Sequence, residues 1–217
     1  MGALKKFNQF CIDKYGTEVD PCQHGIGHGL MVYIGYENLA EALDFCHDIQ
    51  KPVKLPDGCT GGVFMEYNFD TMGNAMGIAR GQRALGESLY EPCDKLPAKY
   101  QPSCYYEQVD WWEKILDSDW QKISGLCGEL SSDKENLNAC YGAVGHYAVS
   151  GNDYDIDVVI GVCGAMPTAE IVYLCSERAA MFIAPDNLSG AYRLCEQLEI
   201  PYRERCEDKL NGYRQSS

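Results

Sequence analysis

Apolar positions recur along this chain in two alternating kinds of segment. Short ones with helical spacing run up to a cysteine: Leu4, Phe7 and Phe10 precede Cys11, Leu39, Leu43 and Phe45 precede Cys46, and Leu188, Tyr192 and Leu194 precede Cys195. Longer apolar and aromatic stretches follow a second cysteine, at 30–34, 63–69, 141–149 and 172–183. The first kind predicts a short helix, B, and the second a longer helix, A. Start signals agree with this division. Asp20-Pro21-Cys22-Gln23, Asn38-Leu39-Ala40-Glu41 and Ser132-Asp133-Lys134-Glu135 have the form of capping boxes, and Pro102, Pro167 and Pro201 suit first helical turns.

The twelve cysteines punctuate this alternation as six couples: 11 with 22, 46 with 59, 93 with 104, 127 with 140, 163 with 175, and 195 with 206. Partners are separated by 10, 12, 10, 12, 11 and 10 residues, and successive couples begin 35, 47, 34, 36 and 32 residues apart. A period of this size marks stacked helical hairpins. Twelve cysteines can pair in about ten thousand ways, but the repeat selects one, with each bridge tying the end of a helix B to the first turn of the next helix A. A zinc cluster needs two-residue gaps that the chain lacks. The expectation is an all-α chain, an αα-hairpin solenoid of about five to six repeats with one disulfide per repeat, forming a single domain over 1–217.

Disulfides persist in oxidising compartments, so the protein is expected to be secreted, periplasmic or at a cell surface. The first ten residues have no apolar core of secretory length, which places any signal or anchor outside this sequence. Lys6 stands where a myristoylation signal wants Ser or Thr. No apolar run reaches the roughly 20 residues of a membrane span, so no membrane insertion is expected. With 18 Lys plus Arg against 32 Asp plus Glu, the net charge of −14 disfavours nucleic acid and anionic lipid. Asn187-Leu188-Ser189 is a glycosylation triplet of a kind that arises by chance.

In period and staple the layout resembles tetratricopeptide-like helical repeats, in particular the secreted cysteine-rich kind with one disulfide per hairpin. The resemblance covers nearly the whole chain without the tetratricopeptide signature residues. It implies an architecture and binding along a concave face, with no particular substrate.

Candidate chemistry concentrates in Cys22-Gln23-His24-Gly25-Ile26-Gly27-His28-Gly29. Four residues apart on one helix face, His24 and His28 suit a transition metal: iron, copper or zinc. Their alternative is a structural role, capping or bonding backbone at crowded helix contacts. Glycine costs about 1 kcal/mol relative to alanine in a helix, so this turn needs a reason for its glycines. Either Gly25, Gly62 and Ala143, each third after a second cysteine, let helices A and B touch, or bare backbone admits a ligand. Counted from the second cysteine, His28 and His146 share the sixth place with Met65, Asp110 and Met181. His24 shares the second place with Gly61, Tyr106, Gly142 and Glu177. These places trace a stripe expected to line the concave face. Glu66 beside it is the candidate third metal ligand or general base, and His146 a further ligand if the array curls tightly. Tyr106, Asp110 and Arg80 are candidate ligand-binding residues.

Between Cys59 and Cys93 lie 33 residues where other spans hold 19 to 23, which marks 70–83 as an inserted loop, either a lid over the stripe or a tolerated surface excursion. Asp153, Asp155 and Asp157 lack the glycine and glutamate of a calcium loop and predict a helix cap. Trp111 and Trp112 fall at core positions, and His47 is expected at the negative end of a helix dipole. No nucleophile elbow exists and paired cysteines cannot attack. Two functions stay open: a binding scaffold whose acidic, histidine-bearing groove takes a peptide, protein, small ligand or cation, and a metal-dependent enzyme using His24, His28 and Glu66.

Overall fold

The computed structural model describes residues 1–16, 19–49, 58–78, 83, 86 and 88–216. Within them the chain is helical throughout, with no strand. In order the helices are α1 (Gly2–Tyr15), α2 (Asp20–Ile34), α3 (Leu39–Ile49), α4 (Cys59–Phe69), α5 (Thr71–Ala75), α6 (Gln101–Ile115), α7 (Trp120–Glu129), α8 (Lys134–Ser150), α9 (Ile156–Gly164), α10 (Ala169–Ile183), α11 (Leu188–Glu196) and α12 (Tyr202–Ser216). The chain forms two compact units, Met1–Trp111 and Trp112–Ser217. No helix among the described residues is long and apolar enough to cross a membrane.

All six bridges join the couples read from the sequence, with Cα atoms 5.3 to 5.9 Å apart, and no cysteine is free. The chain is therefore an all-helical, cysteine-rich repeat of hairpins carrying one staple each. In five couples the first cysteine lies on the helix expected as B and the second on the helix expected as A, but Cys140 and Cys175 lie beyond the first turns of α8 and α10, and α1, with 14 residues, is nearly as long as α2. The third couple departs from this. Cys93 lies in a 3₁₀ turn, Cys93–Lys95, rather than a B helix. Pro92 precedes that turn and Pro97 follows it, driving Leu96 to extended backbone (φ −87°, ψ 154°), so a helix has no room to propagate.

Caps set most helix starts in the second unit. Asp119, Asp133, Asp155, Thr168 and Asn187 each accept a hydrogen bond from an amide of the turn they open. The aspartate run at 153–157 thus ends in the cap of α9. All three expected caps differ. Asp20 is the first residue of α2 and Val19 precedes it, with no side-chain cap. Asp133, not Ser132, opens α8, and Asn38 donates its side-chain amide to the carbonyl of Ile34 at 2.6 Å, closing the preceding helix.

Packing within each unit centres on one tight pair of A helices. In the first, a methyl group on Gly27 of α2 would lie 2.1 Å from the Cys59 carbonyl oxygen of α4, and one on Gly62 of α4 would lie 2.0 Å from the His24 carbonyl oxygen. In the second unit, a methyl on Gly145 of α8 would lie 2.0 Å from the Cys175 carbonyl oxygen of α10. The close contact is A against A, whereas the sequence suggested A against B. Of the third-place residues that the sequence singles out, Gly62 does sit in the close contact while Gly25 faces open space; Gly27 and Gly145, fifth after their cysteines, are the other contact glycines. Ile26, Leu30, Met31, Leu43, Val63 and Phe64 fill the first unit, and Trp112, Ile123, Val144, Ile183, Leu194 and Leu210 the second. Phe7 and Phe10 do not join a core. They stack on each other at the surface, ring centroids 6.1 Å apart, because α1 turns Asn8 and Cys11 inward and Asn8 accepts from the Gln23 amide at 2.8 Å.

Tyr100, buried before α6, donates its hydroxyl proton to Asp44 of α3 at 2.6 Å, with the His47 ring edge-on 6.3 Å away at the end of α3. Burial first, then the bond and charge of Asp44, hold the Tyr100 hydroxyl well above the ordinary tyrosine range. The folded state therefore grips this proton more tightly than the unfolded chain does. Its contribution is complete below the ordinary tyrosine pKa of about 10 and drains away as pH rises past it. Thermal melts between pH 8 and 11 will show the parent losing stability more steeply than Tyr100→Phe; parallel slopes would contradict this linkage.

Candidate functional site

The site of the first unit is built where α2 and α4 pack most closely. Pro21 sits in the first turn of α2, and the helix carries His24 and His28 one turn apart, half-buried, on one side. Their rings meet edge to face with centroids 4.9 Å apart, and their Nε2 atoms are 3.1 Å apart. Between them lies exposed Gly25, with nothing near the place a side chain would fill. The close helix contact at Gly27 and Gly62 brings Glu66 of α4 to the other side of His28, where Oε2 lies 2.8 Å from Nδ1.

Glu66 has a fully buried side chain, and its charge is met from all directions. Oε2 also accepts from the Thr71 hydroxyl at 2.8 Å and the Met72 amide at 2.9 Å, while Oε1 accepts from the Gly73 amide at 2.9 Å. Burial alone pushes this carboxyl up. The bonds from Met72, Gly73, His28 and Thr71 together outweigh it and hold Glu66 below the usual glutamate range. An ionised Glu66 can only accept, so His28 donates through Nδ1 and turns the lone pair of Nε2 toward His24. Two N–H groups cannot face each other at 3.1 Å. The two Nε2 atoms therefore meet in a hydrogen bond that shares one proton.

The start of the inserted segment closes over this array. Asp70 ends α4 and opens α5 from the left-handed region (φ 51°), and is buried. It accepts a very short hydrogen bond from the Tyr36 hydroxyl, which also lies 3.5 Å from Glu66 Oε1. Burial first, then the Asp70 bond and the Glu66 charge, raise the Tyr36 hydroxyl far above its ordinary value, so it stays a donor. Thr71 Oγ1 lies 3.3 Å from His28 Nδ1, and a methyl on Gly29 would lie 3.9 Å from the Met72 sulfur.

The sequence-derived residues are thus brought together in part. His24, His28 and Glu66 form one hydrogen-bonded row, but they do not converge on a point, because Glu66 and His24 approach opposite nitrogens of His28. Among the described residues no three His, Cys, Asp or Glu side chains are arranged to hold a metal ion. Tyr106 is buried in α6 at 3% exposure and Asp110 is half-buried one turn later. Arg80 lies outside the described residues. Tyr36, Asp70, Thr71, Met72 and Gly73 were not anticipated. Their one sequence signal is Asp70-Thr71, a helix-starting pair placed immediately after an apolar run.

Comparison with protein families, with curated proteins and with solved structures found no match.

The second unit contains the same backbone seat with other side chains on it. His146 follows Gly145 as His28 follows Gly27, and Phe182 stands seventh after Cys175 as Glu66 stands seventh after Cys59. There the imidazole lies on the Phe182 ring, centroids 4.0 Å apart, and on Tyr147 at 4.5 Å. Gly142 replaces His24 and Arg178 replaces Gly62 at the corresponding places. His146 is an aromatic packing residue in its unit.

Proposed function

We propose that this protein is an extracytoplasmic binding protein whose helical-repeat scaffold captures a transition-metal ion between Nε2 of His24 and Nε2 of His28. The observation that carries this reading is the pairing of the two Nε2 atoms at 3.1 Å with the Nδ1 of His28 already taken by buried Glu66. Two metal–nitrogen bonds of roughly 2.0–2.1 Å bring their nitrogens about 3 Å apart when they leave the ion near a right angle. A carboxylate on the far ring nitrogen is the arrangement that fixes the tautomer and orientation of a metal-bound histidine and raises its basicity. Glu66 accordingly acts as a positioning residue. A base must be reachable, and Glu66 is fully buried and accepts from five donors, which weighs against the enzyme reading in which it takes a proton.

The setting supports the same conclusion. Six disulfides suit an oxidising compartment, the net charge of −14 draws cations, and exposed Gly25 leaves one side open for a small ligand, peptide or protein group to share the ion. The full chain, purified without an affinity tag and dialysed against Zn(II), will bind one equivalent. His24→Ala and His28→Ala will each lose it. Glu66→Gln, with helicity checked by circular dichroism, will bind about 10–100-fold more weakly. A metal-free parent, or histidine variants that bind like the parent, overturns the proposal.

A further inference from the structure

We infer that the ion is copper in its +1 state and that the Met72 thioether on the inserted segment supplies the third donor. This rests on the reading of His24 and His28 as a metal-binding pair. Two imidazoles leave a soft or borderline ion under-coordinated, so the neighbourhood must be searched for what completes the set. Thiolates are excluded, since every cysteine is in a disulfide. The carboxylate that contacts His28, Glu66, is engaged through both oxygens. No third His, Cys, Asp or Glu among the described residues joins the pair. What the fold does bring alongside is methionine.

Met72 is held there by its backbone. Its amide donates to the same Glu66 oxygen that receives His28 Nδ1, and the preceding Thr71 hydroxyl lies 3.3 Å from that nitrogen. The sulfur lies over α2 beside Gly29, next in sequence to His28, at the distance where a methyl on Gly29 would be in van der Waals contact. A side chain at residue 29 would occupy that approach. The Met72 side chain is 37% exposed and so is not locked into a core; it is unbranched, and its rotatable bonds let the sulfur turn to an ion on the histidines. Thioether and imidazole together form a neutral, soft donor set. That set favours Cu(I) over Zn(II), which accepts imidazole but gains little from a thioether. Glu66 then links capture to the insertion, because one carboxylate orients His28 and anchors the residue that carries the sulfur.

The test compares the untagged full chain with Met72→Leu, a near-isosteric change that removes only the sulfur, and with Met76→Leu, at the residue that follows the same short helix, as the matched control. Cu(I) affinity is measured by competition with a chromophoric Cu(I) chelator under ascorbate, and Zn(II) affinity by dialysis. Met72→Leu is expected to weaken Cu(I) at least tenfold and leave Zn(II) unchanged, with Met76→Leu matching the parent. X-ray absorption of the Cu(I) form is expected to contain a sulfur neighbour that disappears in Met72→Leu. Equal Cu(I) affinity in parent and Met72→Leu, a loss carried by Met76→Leu, or a parent that prefers Zn(II) overturns the copper and thioether assignment while leaving the histidine pair standing. A parent that binds neither ion removes both.

Discussion

Replacing Gly27 by alanine will destabilise the protein by about 3 kcal/mol or more, a large share of the roughly 5–15 kcal/mol that a domain of ordinary stability has. The added methyl would lie 2.1 Å from the Cys59 carbonyl oxygen, 2.8 Å from the Val63 nitrogen and 3.0 Å from the Gly62 carbonyl carbon, all backbone atoms of α4. No flexible side chain can yield there. Cys59 is also bonded to Cys46 on α3, so α4 cannot slide away without moving a second helix. Gly145→Ala in the second unit will behave alike, against the Cys175 carbonyl oxygen at 2.0 Å. Gly25→Ala provides the contrast. With nothing within 4 Å of its added methyl, it should gain up to about 1 kcal/mol from helix propensity. Urea midpoints of the three variants decide the matter: similar small shifts for Gly25→Ala and Gly27→Ala would mean that the tight α2–α4 seat does not exist.

Reduction of the disulfides will unfold the chain. Each closes a short loop, with 11 to 13 residues of sequence separation, and in the chain-entropy account a bond of this size contributes about 3 kcal/mol. Six such losses exceed the stability of an ordinary domain. A tight-packed seat such as that of α2 on α4 depends on the staple from α3, so loss of helicity should be cooperative rather than gradual. Circular dichroism under reductant at neutral pH will show loss of the helical signal, and the double variant Cys46→Ala, Cys59→Ala will lose about 2–5 kcal/mol by urea titration. A reduced chain that keeps native helicity and a sharp melt would show that packing alone is sufficient.

What could be read in the sequence followed from period. Cysteine spacing determines the pairing because each couple repeats the same short loop, and the apolar runs beside the couples locate most A and B helices. The pairing of His24 with His28 follows from one helical turn. Glu66 lies against His28, but its task is not legible in the sequence, since that depends on which imidazole nitrogen it meets and on three donors that follow it. Those donors appear because α4 stops at Asp70 in a left-handed conformation, which the residue type tolerates but does not require. Tyr106 reads as a groove residue by alignment, yet its ring is buried, because equal spacing from a cysteine does not ensure equal exposure on different helices. Phe7 and Phe10 fail for a related reason. Apolar character marks what a helix could bury, and the neighbours of α1 take only its Asn8 and Cys11 side.

The glycine joint met in each unit seats one helix on a carbonyl of the next using backbone alone. In one instance the adjoining positions carry His28 and Glu66; in the other, His146 and Phe182. Chemistry is therefore a passenger on a joint that does not depend on it, and either set of side chains can be exchanged while the mechanical connection stays intact.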